Sequence, residues 1–178
     1  MDNKTEIITL GMGCFWCTES IFKRLKGVKK VSSGFSGGNM ANPSSDDVYS
    51  GTTGHIEVAQ IEFDPEEISL EKILYVFWRL HNPTSLDKQG ADVGEQYRSV
   101  IFYHDSSQKE SAEKSKLEAQ KMFAEKIVTD IVPLKNFYPA EAYHQDFYNK
   151  NVNSPYCTYV IDPKIEKLKK IFNDPITS

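Results

Sequence analysis

The sequence predicts an α+β fold: a ferredoxin-like α/β sandwich with a mixed or antiparallel sheet covered by helices. Two observations support this prediction. Apolar and amphipathic segments follow one another in the order β-α-β-β-α-β, and the 178 residues suit one compact domain, 1–178, with a sizeable core. A coil-rich segment is expected near the C-terminus.

Each element is assigned from its periodicity and its flanking residues. Alternating or continuous apolar segments predict strands at 7–11, 28–35, 55–63, 99–103 and 127–134. Apolar residues at helical spacing predict helices at 14–27, after an N-cap at Ser69, at 107–126 and at 163–172. Ser107 and Glu110 predict a capping box at the start of the third helix. The Gly- and Ser-rich residues 38–54 are predicted to form a long loop.

Charge and composition exclude several classes of protein. Twenty-one basic and 25 acidic residues give a net charge of −4, which leaves no basic excess for binding nucleic acid. No apolar run approaches the roughly 20 residues that a bilayer requires, so no membrane association is expected. The N-terminal residues 1–6 lack the features of a signal peptide, and we expect a cytoplasmic protein. Three cysteines, an odd number, favour reactive thiols over a disulfide framework.

Cys14 is the first candidate for a reactive residue, because it lies where the predicted first strand has ended and the first helix begins. Unpaired backbone N–H groups and the helix dipole favour a thiolate at such a position. Phe15 and Trp16 beside it form an apolar wall suited to a methyl group or a thioether. A buried thiol beside two packed aromatic side chains is the alternative interpretation.

Cys17 is open to several interpretations. C-x-x-C at a helix start is typical of dithiol–disulfide exchange, but Cys17 also shares an apolar stripe with Ile21 and Leu25, which favours an inert packed thiol. A zinc site of Cys14, Cys17, Cys157 and one histidine is a further alternative, although the second C-x-x-C of a typical site is missing.

Glu57 is the carboxylate for which the sequence predicts apolar surroundings. On a strand, its side chain shares one face with Ala59, Ile61 and Phe63. Apolar surroundings disfavour the charged form, so we expect a raised pKa and a role as a general acid; a strand-end glutamate that reaches solvent is the alternative. Four residues in loops or aromatic segments receive no role from position alone: Asp92, Tyr97, Tyr143 and His144.

Together these residues match a known family. The motif Gly13-Cys14-Phe15-Trp16 resembles the signature of the A-type peptide methionine sulfoxide reductases. Further blocks in family order extend the resemblance over roughly residues 7–164: 34–38, 51–57, 81–84, 92–99, 137–141, 143–145 and 160–164. This number of ordered blocks makes the resemblance specific.

The resemblance implies an enzyme that reduces methionine S-sulfoxide, free or in proteins. Cys14 would attack the sulfoxide sulfur, and Glu57 would protonate the oxygen with help from Tyr97. The implied substrate-binding residues are Phe15, Trp16, Asp92 and His144. No metal, flavin or nicotinamide cofactor is implied, and a monomer is expected.

The resemblance also implies recycling by thiols. Cys14 would become a sulfenic acid and condense with a second thiol, and thioredoxin or another thiol would reduce the disulfide. Cys157, near the C-terminus, is favoured over Cys17 as the second thiol, and an external thiol is the third option.

The chain departs from the family pattern at several positions. Ser45 replaces a frequent tyrosine that assists at the oxygen, which leaves open whether Tyr97 acts alone or Tyr49 takes that role. Phe35 replaces another tyrosine, and Cys17 replaces a frequent glycine.

Three other functions compete with the reductase. They are a thiol–disulfide oxidoreductase using Cys14 and Cys17, a cysteine hydrolase using Cys14 with His144, and a binding module that recognises oxidised methionine without converting it.

Overall fold

The computed structural model describes residues 4–172. Its strands are β1 (Glu6–Gly11), β2 (Val28–Ser36), β3 (Ile56–Phe63), β4 (Lys88–Gln89), β5 (Asp92–Val93), β6 (Val100–Tyr103), β7 (Asp130–Pro133) and β8 (Tyr138–Pro139). Its α-helices are α1 (Phe15–Phe22), α2 (Ser45–Tyr49), α3 (Leu70–Arg79), α4 (Ser106–Gln120), α5 (Phe147–Lys150) and α6 (Asp162–Ile171). Within the described residues, no helix has the length and apolar character needed to cross a membrane.

Six strands form one sheet in the order β7-β6-β1-β3-β2-β8. Neighbouring strands are antiparallel except β6 and β7, which are parallel. The central strands β6-β1-β3-β2, connected through α1 and α3, have the ferredoxin-like β-α-β-β-α-β arrangement. The predicted fold class and the mixed sheet are therefore confirmed.

The main core lies between one face of the sheet and the helices α1, α3 and α4. Side chains alternate along a strand, so Ile8 and Leu10 of β1 share this face with Ala59, Ile61 and Phe63 of β3, and all five are fully buried. Each large apolar side chain buried here stabilises the fold by roughly 1.5–3 kcal/mol. The helices contribute Ile21, Phe22, Ile73, Phe77, Trp78, Ala112 and Ala119 to the same cluster.

The predicted loop 38–54 is wrong in part, because it contains α2. Ser44 and Asp47 form a capping box: the Ser44 hydroxyl accepts from the Asp47 amide at 3.1 Å, and the Asp47 carboxylate accepts from the Ser44 amide at 2.8 Å. The Ser-x-x-Asp signal was present in the sequence. A five-residue helix is too short to show a helical period, so periodicity alone missed it.

The predicted start and end of α4 are also wrong. Asp105 is the N-cap residue, and its carboxylate accepts a hydrogen bond from the Gln108 amide at 2.8 Å. Ser107 and Glu110 lie inside the helix and form no capping box there. The helix ends at Gln120, earlier than predicted. The side-chain amide of Gln120 donates to the Phe123 and Glu125 carbonyls and accepts from the Ile127 amide.

The segment that follows β7 packs back against α1 and β2. The Gln145 side chain accepts from the Ser33 amide at 3.0 Å and donates to the Ser33 carbonyl at 2.7 Å. The buried Glu19 carboxylate accepts from the Asp146 amide at 2.9 and 3.0 Å. These bonds hold the short helical turn that carries His144 beside the start of α1.

Candidate active site

Cys14 lies in the turn between β1 and α1, where it is the N-cap residue of the helix. The preceding Gly13 has a φ angle of +97°, a conformation that favours glycine. A Cβ atom at Gly13 would lie 2.8 Å from the Gln89 side chain. This tight turn places the Cys14 side chain at the end of the sheet, where the residue is only 8% exposed.

Burial dominates the electrostatics of Cys14. Its pKa is raised well above the usual thiol value, first by burial, then by hydrogen bonding with Cys17 and by the charge of Glu57. Burial therefore opposes the thiolate that the helix start was expected to favour. Two anions would repel each other in this site, so the Cys14 thiolate forms most readily when Glu57 is neutral.

Cys17 is the thiol with the more stable charged form. Its pKa is lowered to about 7, first by hydrogen bonding with Cys14, while burial opposes the shift. The positive charge of Lys164 and hydrogen bonding with Tyr156 lower it further. Cys17 is fully buried, as the apolar stripe of α1 predicted, and it also interacts with Cys14.

Tyr156 connects the thiols to the substrate-binding candidate Asp92. Its hydroxyl donates to an Asp92 carboxylate oxygen at 2.8 Å and lies 3.6 Å from the Cys17 sulfur. It also interacts with the Cys14 side chain. Asp92, at the start of β5, is thereby tied to the thiol pair through one phenol.

Glu57 lies on the core-facing side of β3 at the end nearest to α1. It is 1% exposed, and its carboxyl accepts a hydrogen bond from the Phe15 amide at 3.1 Å. Burial raises its pKa to about 8, against the lowering effect of that bond, and the charges of Asp92 and Cys17 raise it further. The raised pKa predicted from the strand pattern is confirmed, so Glu57 carries a proton near neutral pH.

The two aromatic side chains after Cys14 have different environments. Phe15 is fully buried and contacts Phe35, with ring centroids 5.5 Å apart. Trp16 is half-buried and stacks on Phe147, with centroids 3.6 Å apart and an interplanar angle of 4°. Its edge meets Tyr156 in a T-shaped contact at 5.4 Å. Trp16 therefore forms the accessible part of the apolar wall.

His144 lies behind Trp16 and sets its orientation. The indole N–H of Trp16 donates to His144 Nδ1 at 3.1 Å. Because Nδ1 accepts, the other ring nitrogen carries the hydrogen and donates to the Ser45 hydroxyl at 3.1 Å. Burial lowers the pKa of His144, which favours the neutral ring that this pattern requires.

Ser45 is occupied by structural contacts. It lies at the start of α2, and its hydroxyl donates to the Glu141 carboxylate and contacts the Tyr143 hydroxyl at 2.9 Å. Tyr49, one helical turn further on, interacts electrostatically with Glu57, Tyr97 and Cys14. Burial raises the pKa values of both Tyr49 and Tyr97, so both phenols keep their hydrogen.

Cys157 belongs to the same apolar cluster as Cys14 and Cys17. It is fully buried at the first position of a π-helical segment, Cys157–Ile161, that leads directly into α6. Its backbone amide donates to the Ser154 hydroxyl at 3.3 Å. The preceding residue, Tyr156, interacts with both Cys14 and Cys17 through its hydroxyl.

The structure therefore brings most of the predicted residues together around Cys14, but three partners were missed. They are Tyr156, Ser45 as a hydrogen-bond partner of His144, and Phe147 under Trp16. Tyr156 lies 139 positions from Cys17 in the sequence, and no local spacing signal connects such distant residues. Among residues 4–172, no group of three or more His, Cys, Asp and Glu side chains is arranged to hold a metal ion, which removes the support for the zinc alternative there.

Two interacting thiols beside a protonated carboxyl provide the nucleophile and the proton donor that a cysteine-dependent oxidoreductase can use. Comparison with known proteins identifies the family. The family model described as peptide methionine sulfoxide reductase matches residues 6–176. The chain therefore belongs to the peptide methionine sulfoxide reductase family, and it is an oxidoreductase.

Individual relatives agree with this assignment. The peptide methionine sulfoxide reductase MsrA of Saccharolobus solfataricus is 50% identical over 171 residues, which cover 96% of this chain and 97% of that protein. The crystal structure of Mxr1 from Saccharomyces cerevisiae in reduced form has a TM-score of 0.83 and 35% identity, covering 88% of this chain and 91% of that one. Mxr1 in complex with Trx2 has a TM-score of 0.59 and 28% identity, with coverage of 83% and 87%.

Proposed function

We propose that this chain reduces methionine S-sulfoxide, free or in proteins, with Cys14 as the nucleophile and Glu57 as the proton donor. The observation that carries the proposal is a carboxyl that stays protonated near neutral pH beside the thiol. Glu57 is hydrogen-bonded to the amide of the residue that follows Cys14, and burial raises its pKa to about 8.

The reduction is a two-electron transfer between two sulfur atoms. The Cys14 sulfur attacks the sulfoxide sulfur while Glu57 delivers a proton to the sulfoxide oxygen, which is otherwise a very poor leaving group. The sulfur–oxygen bond of the substrate breaks, the hydroxyl is transferred to the Cys14 sulfur, and methionine leaves as the transient sulfur–sulfur bond breaks. Cys14 is oxidised to a sulfenic acid, and the substrate is reduced to a thioether.

The arrangement around Cys14 supports the choice of one sulfoxide epimer. The S-methyl group would lie against Trp16, and the oxygen would point to Glu57, with Cys14 opposite. The mirror-image sulfoxide cannot place its methyl group, its oxygen and its main chain in the same three positions. Phe15 supports the wall from inside the core.

The remaining polar residues have supporting roles in this proposal. Tyr97 and Tyr49 supply phenol hydrogens at the sulfoxide oxygen, since both interact electrostatically with Glu57 and Cys14. Tyr49 thereby fills the role left open by Ser45. Asp92 binds the polar part of the substrate.

His144 is a positioning residue, because it contacts Trp16 and faces Ser45 on its other side. A His144→Leu variant should raise the KM for the sulfoxide several-fold and leave the thiol chemistry of Cys14 unchanged. Its effect should also be visible as altered Trp16 fluorescence.

Recycling requires a second thiol and a reductant. We propose that a protein thiol, Cys17 or Cys157, condenses with the Cys14 sulfenic acid and that thioredoxin reduces the resulting disulfide. The complex of Mxr1 with Trx2 supports thioredoxin as the reductant. This chemistry needs reduced thiols, which supports a cytoplasmic location. We also propose that residues 1–178 form a single catalytic domain that acts as a monomer.

Single-turnover reduction of separated epimers tests the proposal. Thiol-reduced protein without added reductant is mixed with the S or R epimer of N-acetylmethionine sulfoxide, and the methionine product is counted per protein. About one equivalent is expected from the S epimer alone. Equal turnover of both epimers would contradict the stereochemical part, and no product from either would contradict the proposed function.

A further inference from the structure

We propose that Tyr143 forms a second binding subsite, which takes a basic side chain of the polypeptide that flanks methionine sulfoxide. The proposal rests on the proposed function, because it concerns how a substrate of that reaction is selected. It goes further by naming the preferred substrate class: a sulfoxide within a polypeptide that has arginine or lysine close to it, rather than the free amino acid.

Tyr143 is exposed, but its position is fixed. The residue is 61% exposed, whereas its hydroxyl donates to the Glu141 carboxylate at 2.7 Å and contacts the Ser45 hydroxyl at 2.9 Å. Its ring packs against the His144 ring with centroids 4.1 Å apart. A ring that is already held in place loses little conformational entropy when it binds a ligand. Tyr143 therefore presents a preorganised aromatic surface to solvent.

Tyr143 lies beside the proposed pocket for the S-methyl group. The rings of Trp16 and His144 have centroids 5.7 Å apart, and His144 is in turn in contact with Tyr143. The Tyr143 ring is therefore at most about 10 Å from the Trp16 ring, which is the length of about three residues of extended peptide. Tyr143 also interacts electrostatically with Tyr49, which interacts in the same way with Cys14. A side chain two residues from the sulfoxide is thus within reach of Tyr143, and the free amino acid has no such side chain.

Two carboxylates beside Tyr143 determine which kind of side chain is favoured. Asp46 is exposed in the first turn of α2, and its charge acts on Tyr143. Burial tends to raise the pKa of Glu141, but hydrogen bonds from Ser45 and Tyr143 outweigh this effect and hold that pKa below its usual value. Glu141 is therefore negatively charged at neutral pH.

This combination suits a cation. The face of an aromatic ring attracts a positive charge, and carboxylates beside the ring add to that attraction. Lys150 lies nearby and donates to the backbone carbonyl of the residue before Tyr143 at 3.3 Å, but the charges that act most strongly on Tyr143 are those of Glu141 and Asp46. We therefore expect arginine and lysine to be favoured at this subsite, and aspartate and glutamate to be disfavoured.

A comparison of small and peptide substrates tests the proposal. The probes are the S epimers of N-acetylmethionine sulfoxide and of two pentapeptides with the sulfoxide at the centre, alanine on either side of it, and either arginine or serine at both ends. With dithiothreitol as the reductant, we expect kcat/KM for the arginine peptide to exceed that for the serine peptide about 3–10-fold. Equal values for the two peptides would overturn the proposal. Absence of methionine from all three probes would instead refute the proposed function.

Variants locate the effect at Tyr143. In Tyr143→Ala we expect the ratio of kcat/KM for the arginine peptide to that for the serine peptide to fall to within about twofold of one. A disturbance of His144 alone would slow both peptides equally and leave the wild-type ratio, so an unchanged ratio would overturn the proposal.

Two further variants act as a second test and as a control. Asp46→Asn should lower the same ratio about 2–3-fold, because it removes one of the two negative charges. Tyr75→Ala is the matched control, since Tyr75 is 42% exposed but lies on α3 beside Phe172. It should keep the wild-type ratio, and a loss as large as that in Tyr143→Ala would overturn the assignment to Tyr143.

Discussion

Replacing Glu57 by glutamine removes the proposed proton donor while preserving the size of the side chain. The amide oxygen of glutamine can still accept the Phe15 N–H bond, so the local backbone should be retained. The substitution removes the acidic proton and the ionisation of the buried carboxyl beside Cys14.

The size of the effect follows from the pKa of Glu57, which burial raises from 4.5 to about 8. At pH 7 about nine-tenths of the protein carries the proton. Removal of a general acid typically costs about 10²–10⁴-fold in rate. Loss of the Glu57 proton above about pH 8 offsets the rising population of Cys14 thiolate, so we expect the wild-type single-turnover rate to level off above pH 8, whereas the slower rate of Glu57→Gln should keep rising with pH.

The same substitution that slows the reduction should raise the stability of the fold. Between pH 4.5 and about 8, folded Glu57 keeps a proton that the unfolded chain releases, so Glu57 makes the fold less stable as the pH rises. The penalty reaches roughly 3–5 kcal/mol near pH 8. Glu57→Gln has no such penalty, and its Tm should exceed that of the wild type most clearly at pH 8.

The assay is rapid-quench single turnover with the S epimer from pH 5.5 to 9.5, together with thermal unfolding over the same range. Glu62→Gln is the matched control, because Glu62 lies on the opposite face of β3. The control should keep both the rate and its pH profile. A Glu57→Gln variant that keeps the wild-type rate and its levelling above pH 8 would refute the assignment of Glu57 as the acid.

Three further predictions concern the phenols, a helix cap and the turn before Cys14. Tyr49→Phe and Tyr97→Phe should each slow single turnover about 3–10-fold, and a double variant no slower than either alone would contradict a shared role. Asp105→Ala should lower the unfolding free energy by about 1 kcal/mol in a urea titration, whereas Ser107→Ala should change it by less than about 0.5 kcal/mol; equal losses would contradict the N-cap assignment. Gly13→Ala should cost about 1–3 kcal/mol and slow the reduction, because its φ of +97° is unfavourable for alanine, so unchanged stability and rate would argue against the strained turn.

Local patterns predicted most of the fold. The strand containing Glu57, the N-cap at Ser69 and the order of the elements all follow from periodicity and capping signals that neighbouring residues carry. The errors concern elements whose signal is short or ambiguous. The helix α2 has five residues, and two overlapping cap signals competed at the start of α4, where Asp105 prevails over Ser107.

The candidate site was predicted less completely, for a related reason. Cys14, Trp16 and Glu57 stand in motifs that can be recognised in the sequence, and the strand pattern was sufficient to predict the raised pKa of Glu57. The neighbours of Cys17 and His144 come from distant parts of the chain, so neither the thiol pair with Tyr156 nor the bond to Ser45 had a local signal.

By itself the sequence determined the β-α-β-β-α-β order of the central elements, the family motif around Cys14 and the core-facing side of Glu57, because each depends on residues a few positions apart. Tertiary structure alone decided which thiol is the more acidic. Burial raises the pKa of Cys14 well above its usual value, whereas hydrogen bonding with Cys14 lowers that of Cys17 to about 7, with a further contribution from the charge of Lys164. Desolvation and charge interactions depend on distances in space, and the packing of the C-terminal segment against α1 brings Tyr156 and Lys164 to the thiol pair.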